Sequence, residues 1–189
     1  MSKRIDNLDL KIVYHLQKDG RAPITELTKK VESSRPTVTN RLKQLRDAEL
    51  VLIRGGLNLR KLGFKMASVG LEVINDEARK EVEQYLRSCP RVLTLFRTPE
   101  KANIHVNVWG EDDQTIKSTI ESFRDFPNVE LIYTHYLGTP IYGDIILNVE
   151  PSEESGSPCG KTCSSCYRYI NSWCLGCPMT ADYKNPLLE

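Results

Sequence analysis

Apolar residues in the first third of the chain recur at the three- and four-residue spacing of amphipathic helices. This spacing predicts three short helices. The first ends before Gly20, the second begins near Pro23, and the third has Pro36 in its first turn, where a missing N–H costs nothing. Residues 51–59 are predicted to form a short hairpin or an extended crossing segment, with Gly55-Gly56 as a turn.

From about residue 66 the apolar residues alternate with the period of two that a half-buried strand requires. Four strands and two helices are predicted in the order βαββαβ, and residues 141–149 form a candidate fifth strand. This order is typical of the ferredoxin-like unit, so the predicted fold class is α+β. One face of the sheet is predicted to stay open and to bind a second copy of the chain. The polar and aromatic residues expected on this open face are Ser68, Glu72, His105, Asn107 and Trp109.

The third predicted helix combines a buried apolar stripe, Val38 to Leu45, with a polar and basic outer face. A turn of 100° per residue places Thr39, Asn40 and Lys43 on that outer face. Two short helices joined by a tight turn, the second of them polar outside, are typical of a helix-turn-helix that reads DNA. The alternative is an ordinary three-helix bundle with a solvated face.

Charge is divided unevenly along the chain. Residues 1–65 hold 15 Lys and Arg against 7 Asp and Glu, a net charge of +8, whereas residues 66–150 hold 8 against 14, a net charge of −6. The basic first third favours double-stranded DNA as a partner. No run of roughly 18 apolar residues and no secretory signal is evident, so a cytoplasmic protein without a membrane partner is expected. No catalytic constellation is found, and an enzyme is not expected.

Five of the six cysteines lie close together near the C-terminus, after a polar segment that resembles a flexible linker. Cys89 stands apart and is interpreted as a buried thiol. An odd number of clustered cysteines in a chain without a signal peptide argues against a disulfide framework and for metal or redox chemistry. The predicted metal ligands are Cys159, Cys163, Cys166, Cys174 and Cys177.

Three interpretations of these cysteines remain open. The pairs Cys163/Cys166 and Cys174/Cys177 have the CxxC spacing of a four-cysteine zinc site, which is the favoured interpretation. A [4Fe–4S] cluster would use Cys159, Cys163 and Cys166 with one later cysteine. Thiol switching without a metal is the third. A radical-SAM enzyme, which also uses CxxxCxxC, is excluded because no barrel-sized domain surrounds the motif.

The order of the two folded modules, together with individual residues, resembles the Lrp/AsnC family of regulators. Glu32 and Glu49 stand where that family usually has Gly, and Thr98 is followed by Pro99 where the family often has Gly. The residues that carry the resemblance are Leu8-Asp9, Lys11-Ile12-Val13, the segment 16–21, Glu26-Leu27, Ser34, Thr37-Val38, Arg41-Leu42, Leu45 and the segment 61–64.

The resemblance implies a homodimer, often assembled into tetramers or octamers, that binds operator DNA and responds to amino acids or related small molecules. It implies effector contacts near Thr98 and Asn103. The DNA-binding residues implied by position are Arg35, Thr37, Thr39, Asn40, Arg41, Lys43 and Arg46, with Arg41 and Arg46 nearer to phosphates.

Three segments are therefore predicted: a helix-turn-helix (winged) domain over 1–62, a ferredoxin-like effector and dimerisation domain over 63–150, and a linker with a cysteine-rich metal-binding segment over 151–189. The predicted function is sequence-specific transcriptional regulation, modulated by a small molecule or by the metal or redox state of the tail. Two alternatives are an architectural DNA-binding protein with low sequence specificity and a metal or redox sensor that is merely tethered to DNA.

Overall fold

The computed structural model describes residues 5–148 and 157–188. Two compact units are present, Met1–Gly55 and Gly56–Glu189. The break lies between the two glycines of the Gly55-Gly56 pair, seven residues before the sequence-based boundary, and the cysteine segment belongs to the second unit. Most of the predicted linker, together with positions 149 and 150 of the candidate fifth strand, lies outside the described residues.

The first unit is a three-helix helix-turn-helix. Asp6 caps the first helix by accepting a hydrogen bond from Asp9 N–H, and Ser34 caps the third by accepting one from Thr37 N–H. These caps fix where the predicted helices begin. The helices are α1 (Asn7–Lys18), α2 (Ile24–Val31) and α3 (Arg35–Asp47), and their shared core is formed by Ile12, Leu16, Leu27, Val31 and Val38.

The second unit contains a four-stranded antiparallel sheet of β2 (Lys65–Val73), β3 (Val92–Arg97), β4 (Ile104–Gly110) and β5 (Val129–Gly138). Its strand order is β3-β4-β2-β5. This order and the two intervening helices confirm the predicted α+β, ferredoxin-like fold. The alternating apolar residues of β2 and β4 pack against the inner faces of the helices, as Val69, Val106, Leu86 and Ile120 illustrate. The two helices are α5 (Asp76–Ser88) and α6 (Asp113–Phe123).

Of the two alternatives predicted for the segment that enters this unit, the hairpin does not form, and the segment instead pairs with a distant part of the chain. Strand β1 (Leu57–Asn58) pairs instead with β6 (Ile146–Leu147), and the helical turn α4 (Leu59–Leu62) follows. The Gly55-Gly56 turn was a wrong prediction, since neither glycine lies in a turn. Gly56 is needed for a different reason: it lies against the backbone of Leu147, where a Cβ would clash. The candidate fifth strand was also wrong in extent: within 141–148 only two residues are paired, in this separate ribbon.

Trp109 was predicted on the open face of the sheet but is buried, with 5% of its surface exposed. Its ring stacks on Phe64, with centroids 5.5 Å apart, and its Nε1 donates to the carbonyl of Pro90 at 2.9 Å. The chain after β1 covers this end of the sheet, since Leu59 and Phe64 pack in the same cluster. The alternation of residues along a strand gives no indication that a distant segment of the chain buries one of them.

The described part of the cysteine-rich segment, residues 157–188, is called the tail. It contains little regular structure, namely a 3-10 turn at Cys163–Ser165 and the helical turn α7 (Tyr167–Ile170). Within residues 5–148 and 157–188 no helix is long and apolar enough to cross a membrane.

Candidate nucleic-acid interface and associated sites

Helix α3 carries the residues predicted to bind DNA on an exposed face. Thr39, Asn40 and Lys43 are exposed, as the helical rotation requires. Hydroxyl and amide groups can bond to base edges, and cationic side chains can bond to phosphates. The other exposed members of the predicted set are Arg35, Thr37 and Arg46. Six of the seven predicted residues thus lie exposed on one helix.

Thr37 and Arg41 have partners inside the unit. The Thr37 hydroxyl lies 2.8 Å from the Ser34 hydroxyl at the helix cap. Arg41 is half-buried, and its Nη1 lies 2.8 Å from an oxygen of Asp6 and 3.4 Å from an oxygen of the fully buried Asp9. The backbone N–H of Asp9, and then the Arg41 guanidinium, hold the pKa of the Asp6 carboxyl below its usual value. Arg41 therefore attaches α3 to the start of α1.

The turn between α2 and α3 is closed by Glu32 in the left-handed conformation, with φ 53° and ψ 47°. Glu49, just after α3, has φ 54°. These are the two positions where the Lrp/AsnC resemblance leads one to expect Gly. A side chain at such a position costs about 1–2 kcal/mol relative to a right-handed one. The turn geometry is therefore retained with a non-glycine residue.

The loop predicted to contact an effector is closed by a carboxylate of the same chain. The Glu72 side chain accepts hydrogen bonds from Ala102 N–H at 2.6 Å and from Asn103 N–H at 3.2 Å. The Asn103 amide donates to Glu72 at 3.1 Å and to the Val73 carbonyl at 2.9 Å, and Thr98 donates to the Ala102 carbonyl at 2.6 Å. Glu72, which was predicted only as a residue of the open sheet face, therefore bonds to this loop.

A chain of hydrogen bonds crosses the outer face of the sheet. The two ring nitrogens of His105 lie 2.9 Å from the Ser68 hydroxyl and 2.7 Å from the Tyr133 hydroxyl. Asn107 donates to the Thr94 hydroxyl at 2.8 Å on the neighbouring strand. Phe96, 52% exposed, lies beside His105 with ring centroids 6.1 Å apart. This face offers a polar and aromatic surface of the kind that subunit contacts use.

Comparison with known proteins gives the context of this geometry. Residues 5–46 match the AsnC-type helix-turn-helix domain. The leucine-responsive regulatory protein of Rhizobium meliloti is 30% identical over 142 residues, which are 71% of this chain and 85% of that protein. The HTH-type transcriptional regulator FL11 of Pyrococcus abyssi is 24% identical over 135 residues, covering 71% of this chain and 89% of that one.

The chain belongs to the Lrp/AsnC family. It is accordingly a DNA-binding transcriptional regulator. Solved structures share the family fold: LrpC of Bacillus subtilis has a TM-score of 0.62 at 23% identity and covers 74% of this chain and 99% of its own. A transcriptional regulator of Neisseria meningitidis, solved in complex with L-Met, has a TM-score of 0.63 at 21% identity and covers 77% of this chain and 97% of its own.

About a quarter of this Lrp/AsnC chain has no counterpart in LrpC, since nearly all of LrpC is matched by 74% of the chain. The cysteine tail follows the last strand of the sheet unit. Its thiols differ in environment: Cys163 is buried, Cys159 is exposed, and Cys166, Cys174 and Cys177 are half-buried. Among residues 5–148 and 157–188, no three His, Cys, Asp or Glu side chains are arranged so that they could hold one metal ion.

The tail thiols are nevertheless electrostatic neighbours. Burial, and to a smaller extent the nearby charges of Asp182, Cys159 and Cys174, raise the pKa of Cys163 to about 11. Burial likewise raises the pKa of Cys174, with smaller contributions from Cys159 and Cys166. The described tail thiols therefore influence one another's pKa values, although no three of them are arranged to hold one ion.

The tail is attached to the sheet unit by contacts that the sequence did not predict. Arg91 donates to the Gly176 carbonyl at 2.9 Å, and the Tyr183 hydroxyl donates to Glu111. Ser118 on α6 donates to the Trp173 carbonyl at 2.5 Å. In the sequence, Arg91 and Glu111 are isolated charged residues that cannot be distinguished from ordinary surface residues. No sequence signal therefore predicted these contacts.

Proposed function

We propose that this regulator recognises specific operator sequences through the outer face of α3. The observation that supports the proposal is the exposed group of Thr39, Asn40 and Lys43 on one helix face. Asn reads adenine by a bidentate hydrogen bond, and Lys bonds to guanine or to a phosphate. Arg35 and Arg46 are exposed at the two ends of the same helix, where they can bind flanking phosphates.

The test is binding to a selected operator in competition with random DNA at fixed salt. Asn40→Ala should lower the affinity for the operator and leave the affinity for random DNA nearly unchanged, because one mismatched contact typically costs about 1–3 kcal/mol. Gln17→Ala, an exposed polar residue on α1, is the matched control. A specificity ratio near one for the wild-type protein would instead support an architectural role.

A homodimer, with assembly into tetramers or octamers, is the proposed state of the protein on DNA. The outer face of the sheet, with Phe96 and Thr94 exposed, supports pairing through this surface. A pair of helix-turn-helix units occupies two half-sites of a pseudopalindrome, one or more helical turns apart. Phe96→Glu should weaken the dimer in sedimentation experiments, whereas the same change at Ile170 on the tail, 63% exposed, should not.

The proposed effector is a small molecule such as an amino acid. The Neisseria meningitidis relative was solved with L-Met. In this chain Thr98 and Asn103 already hold partners within the loop, so an amino-acid carboxylate would have to compete with Glu72 for the same N–H groups. No enzymatic activity is proposed, and the cytoplasm is the proposed location.

We propose further that the tail cysteines bind a metal, with zinc favoured over a [4Fe–4S] cluster. Two CxxC pairs and a fifth cysteine supply the thiolate donors that both groups prefer. A segment of about 30 residues has too little apolar surface for a core of its own, and a metal would stabilise it. The described tail contains only two short helical turns, so few backbone hydrogen bonds would have to change for its thiols to close on an ion.

Anaerobic purification followed by visible absorption and metal analysis tests this proposal. About one zinc per chain and no colour would support a zinc site. A brown protein containing iron and sulfide would support a cluster and a redox-responsive regulator. A protein that holds neither, after purification in the presence of both metals, would overturn metal binding and favour thiol switching.

A further inference from the structure

A groove lies between helix α6 and the tail, both of which belong to the second unit. On the helix side it is lined by Gln114, Lys117 and Glu121, which share one face of α6 because the second and third lie three and seven positions after the first. On the tail side it is lined by Tyr167 and Trp173. The groove encloses about 350 Å³, which is the size of a site for a small organic molecule.

The tail side of the groove is an aromatic corner formed by Tyr167 and Trp173. The two rings meet edge to face, with centroids 6.0 Å apart and planes at 90°. Both residues remain about half exposed, at 57% and 46%. Because aromatic rings pack on one another by offset stacking or edge to face, this corner can hold a planar ring by both kinds of contact. The corner therefore favours an aromatic ligand over an aliphatic one.

Two buried polar side chains that also line the groove hold the aromatic corner in place. Ser118, 8% exposed, donates to the Trp173 carbonyl at 2.5 Å. Arg168, 9% exposed, donates from Nε to the Tyr167 hydroxyl at 3.1 Å and from Nη1 to Asp125 at 3.3 Å. Its guanidinium carbon also lies 5.3 Å from the centroid of the Tyr167 ring. The corner is therefore positioned before any ligand arrives, which lowers the entropy cost of binding.

The charged side chains around the groove leave one cation without a counterion. The charge of Arg168 is matched by Asp125, and Glu121 is paired with Arg124 at 3.3 Å. Lys117 is exposed, and within the part of the chain that the structure describes no acidic side chain forms an ion pair with it. A ligand in the groove therefore meets one unmatched ammonium group, which favours a single negative charge.

We propose that this groove binds a small aromatic carboxylate, with its ring on the aromatic corner and its carboxylate on the Lys117 ammonium group. The Gln114 amide, one turn before Lys117, supplies a further hydrogen-bond donor at the carboxylate end. Glu121, one turn after Lys117, repels a second negative group, so a monoanion fits better than a dianion. The site depends neither on DNA binding nor on a metal in the tail.

The test adds naphthoate, or the neutral naphthamide of the same shape, to the full-length protein and follows the indole N–H signals by NMR. The chain has two tryptophans, and the signal of Trp173 should shift while that of the buried Trp109 should not. Lys117→Met should weaken naphthoate binding about fivefold and leave naphthamide binding unchanged, because only the carboxylate uses the ammonium group. Lys80→Met, an exposed lysine on α5, is the matched control and should change neither affinity.

A second variant tests the aromatic corner by calorimetry. Trp173→Ala should weaken the binding of both naphthoate and naphthamide by about tenfold or more, because the ring loses its stacking partner. The bond from Ser118 goes to the backbone carbonyl of residue 173, so the variant keeps this attachment of the tail to α6. Tyr142→Ala, 92% exposed and outside the groove, is the control and should leave both affinities unchanged.

Three results would overturn the proposal. The first is a wild-type protein whose Trp173 signal does not respond to naphthoate. The second is equal affinity for naphthoate and naphthamide, or an unchanged affinity in Lys117→Met, since the groove would then be a plain apolar surface. The third is a Trp173 signal that shifts with protein concentration and not with the ligand, since a second copy of the chain would then occupy the groove. Because Lys117 is exposed and outside every described ion pair, Lys117→Met keeps the test valid if Trp173→Ala fails to fold.

Discussion

Arg91 and Glu111 form an ion pair in which the two side chains are 4% and 3% exposed. Both residues belong to the sheet unit, yet two further partners come from the tail, namely the Gly176 carbonyl and the Tyr183 hydroxyl. A buried charge needs all of its hydrogen-bonding partners. The pair therefore gives the tail a defined position on the sheet.

Glu111→Ala should destabilise the sheet unit by about 3–5 kcal/mol, because it leaves the Arg91 guanidinium buried with its countercharge removed. Urea unfolding followed by circular dichroism measures the free-energy change. Asp113→Ala provides the control, since it removes an exposed pair with Lys65 and should cost less than about 1 kcal/mol. Equal losses in the two variants would mean that the Arg91 pair is not buried in solution.

Arg41 and Arg46 should have different effects on DNA binding although both lie on α3. Arg46→Ala should make the dependence of affinity on salt less steep by about 0.9 in the logarithmic slope, as expected for one phosphate contact, with stability unchanged. Arg41→Ala should lower stability by about 1–3 kcal/mol, because the buried Asp9 carboxylate loses its cation and keeps the Asp6 N–H. Titrations at several salt concentrations and thermal unfolding check both. If Arg41→Ala changed only the salt slope, Arg41 would be a phosphate contact after all.

Glu32→Gly should stabilise the helix-turn-helix by roughly 0.5–1 kcal/mol. Glycine adopts positive φ without strain, which favours the folded state. Its greater freedom in the unfolded chain offsets part of this stabilisation. Chemical denaturation of the full-length protein measures the change. The same substitution at Glu81, an exposed residue inside α5, should cost about 1 kcal/mol. Loss of stability at both positions would show that the Glu32 side chain makes a contact that outweighs the strain.

The helices of the helix-turn-helix and the order of the sheet elements could be predicted, because both follow from local residue spacing and from capping residues. Ser34 and Pro36 at the start of α3 are examples. The burial of Trp109 and the pairing of Arg41 could not be predicted in this way. Both depend on residues far away in the sequence, 45 positions for Phe64 and Trp109 and 32 for Asp9 and Arg41. A charged residue carries no sequence signal that tells whether it binds DNA or a neighbouring helix.

The candidate sites were predictable to different degrees for the same reason. The exposed face of α3 follows from helical rotation alone. The roles of Thr98 and Asn103 depend on Glu72, which approaches them from another strand. The tail cysteines could be recognised by their spacing, whereas the bonds from Arg91 to Gly176 and from Tyr183 to Glu111 needed the fold.

The Glu83–Arg97 pair should make stability depend on pH. Arg97 holds the buried carboxylate of Glu83 by two hydrogen bonds, at 2.5 and 2.7 Å, and these bonds hold the pKa of Glu83 below its usual value. A lowered pKa in the folded state contributes stability above the unfolded pKa of about 4.3 and loses it as pH falls through the lower folded pKa. Relative to Glu83→Gln, the wild-type advantage should therefore be full near neutral pH and should shrink below about pH 4.

Thermal unfolding of wild type and Glu83→Gln across that range checks this prediction. The difference between the two proteins isolates Glu83 from the other carboxyl groups that titrate in the same range. Glu81→Gln on the exposed side of the same helix is the control and should give a difference that hardly changes with pH. A wild-type advantage that grew toward acidic pH would contradict the lowered pKa.

Glu72 should control whether the loop at residues 98–103 can bind a free carboxylate. Its side chain occupies the N–H groups of Ala102 and Asn103, so L-methionine or acetate should leave these two amide signals unchanged in NMR spectra of the wild-type protein. Glu72→Ala removes the internal carboxylate and should allow the same amide signals to shift as the ligand is added. Glu130→Ala, on the strand beside Glu72, provides a control that removes a carboxylate without opening the loop. Shifts of the Ala102 and Asn103 signals in the wild-type protein would show that an effector displaces Glu72, and this loop would then be an effector site of the regulator.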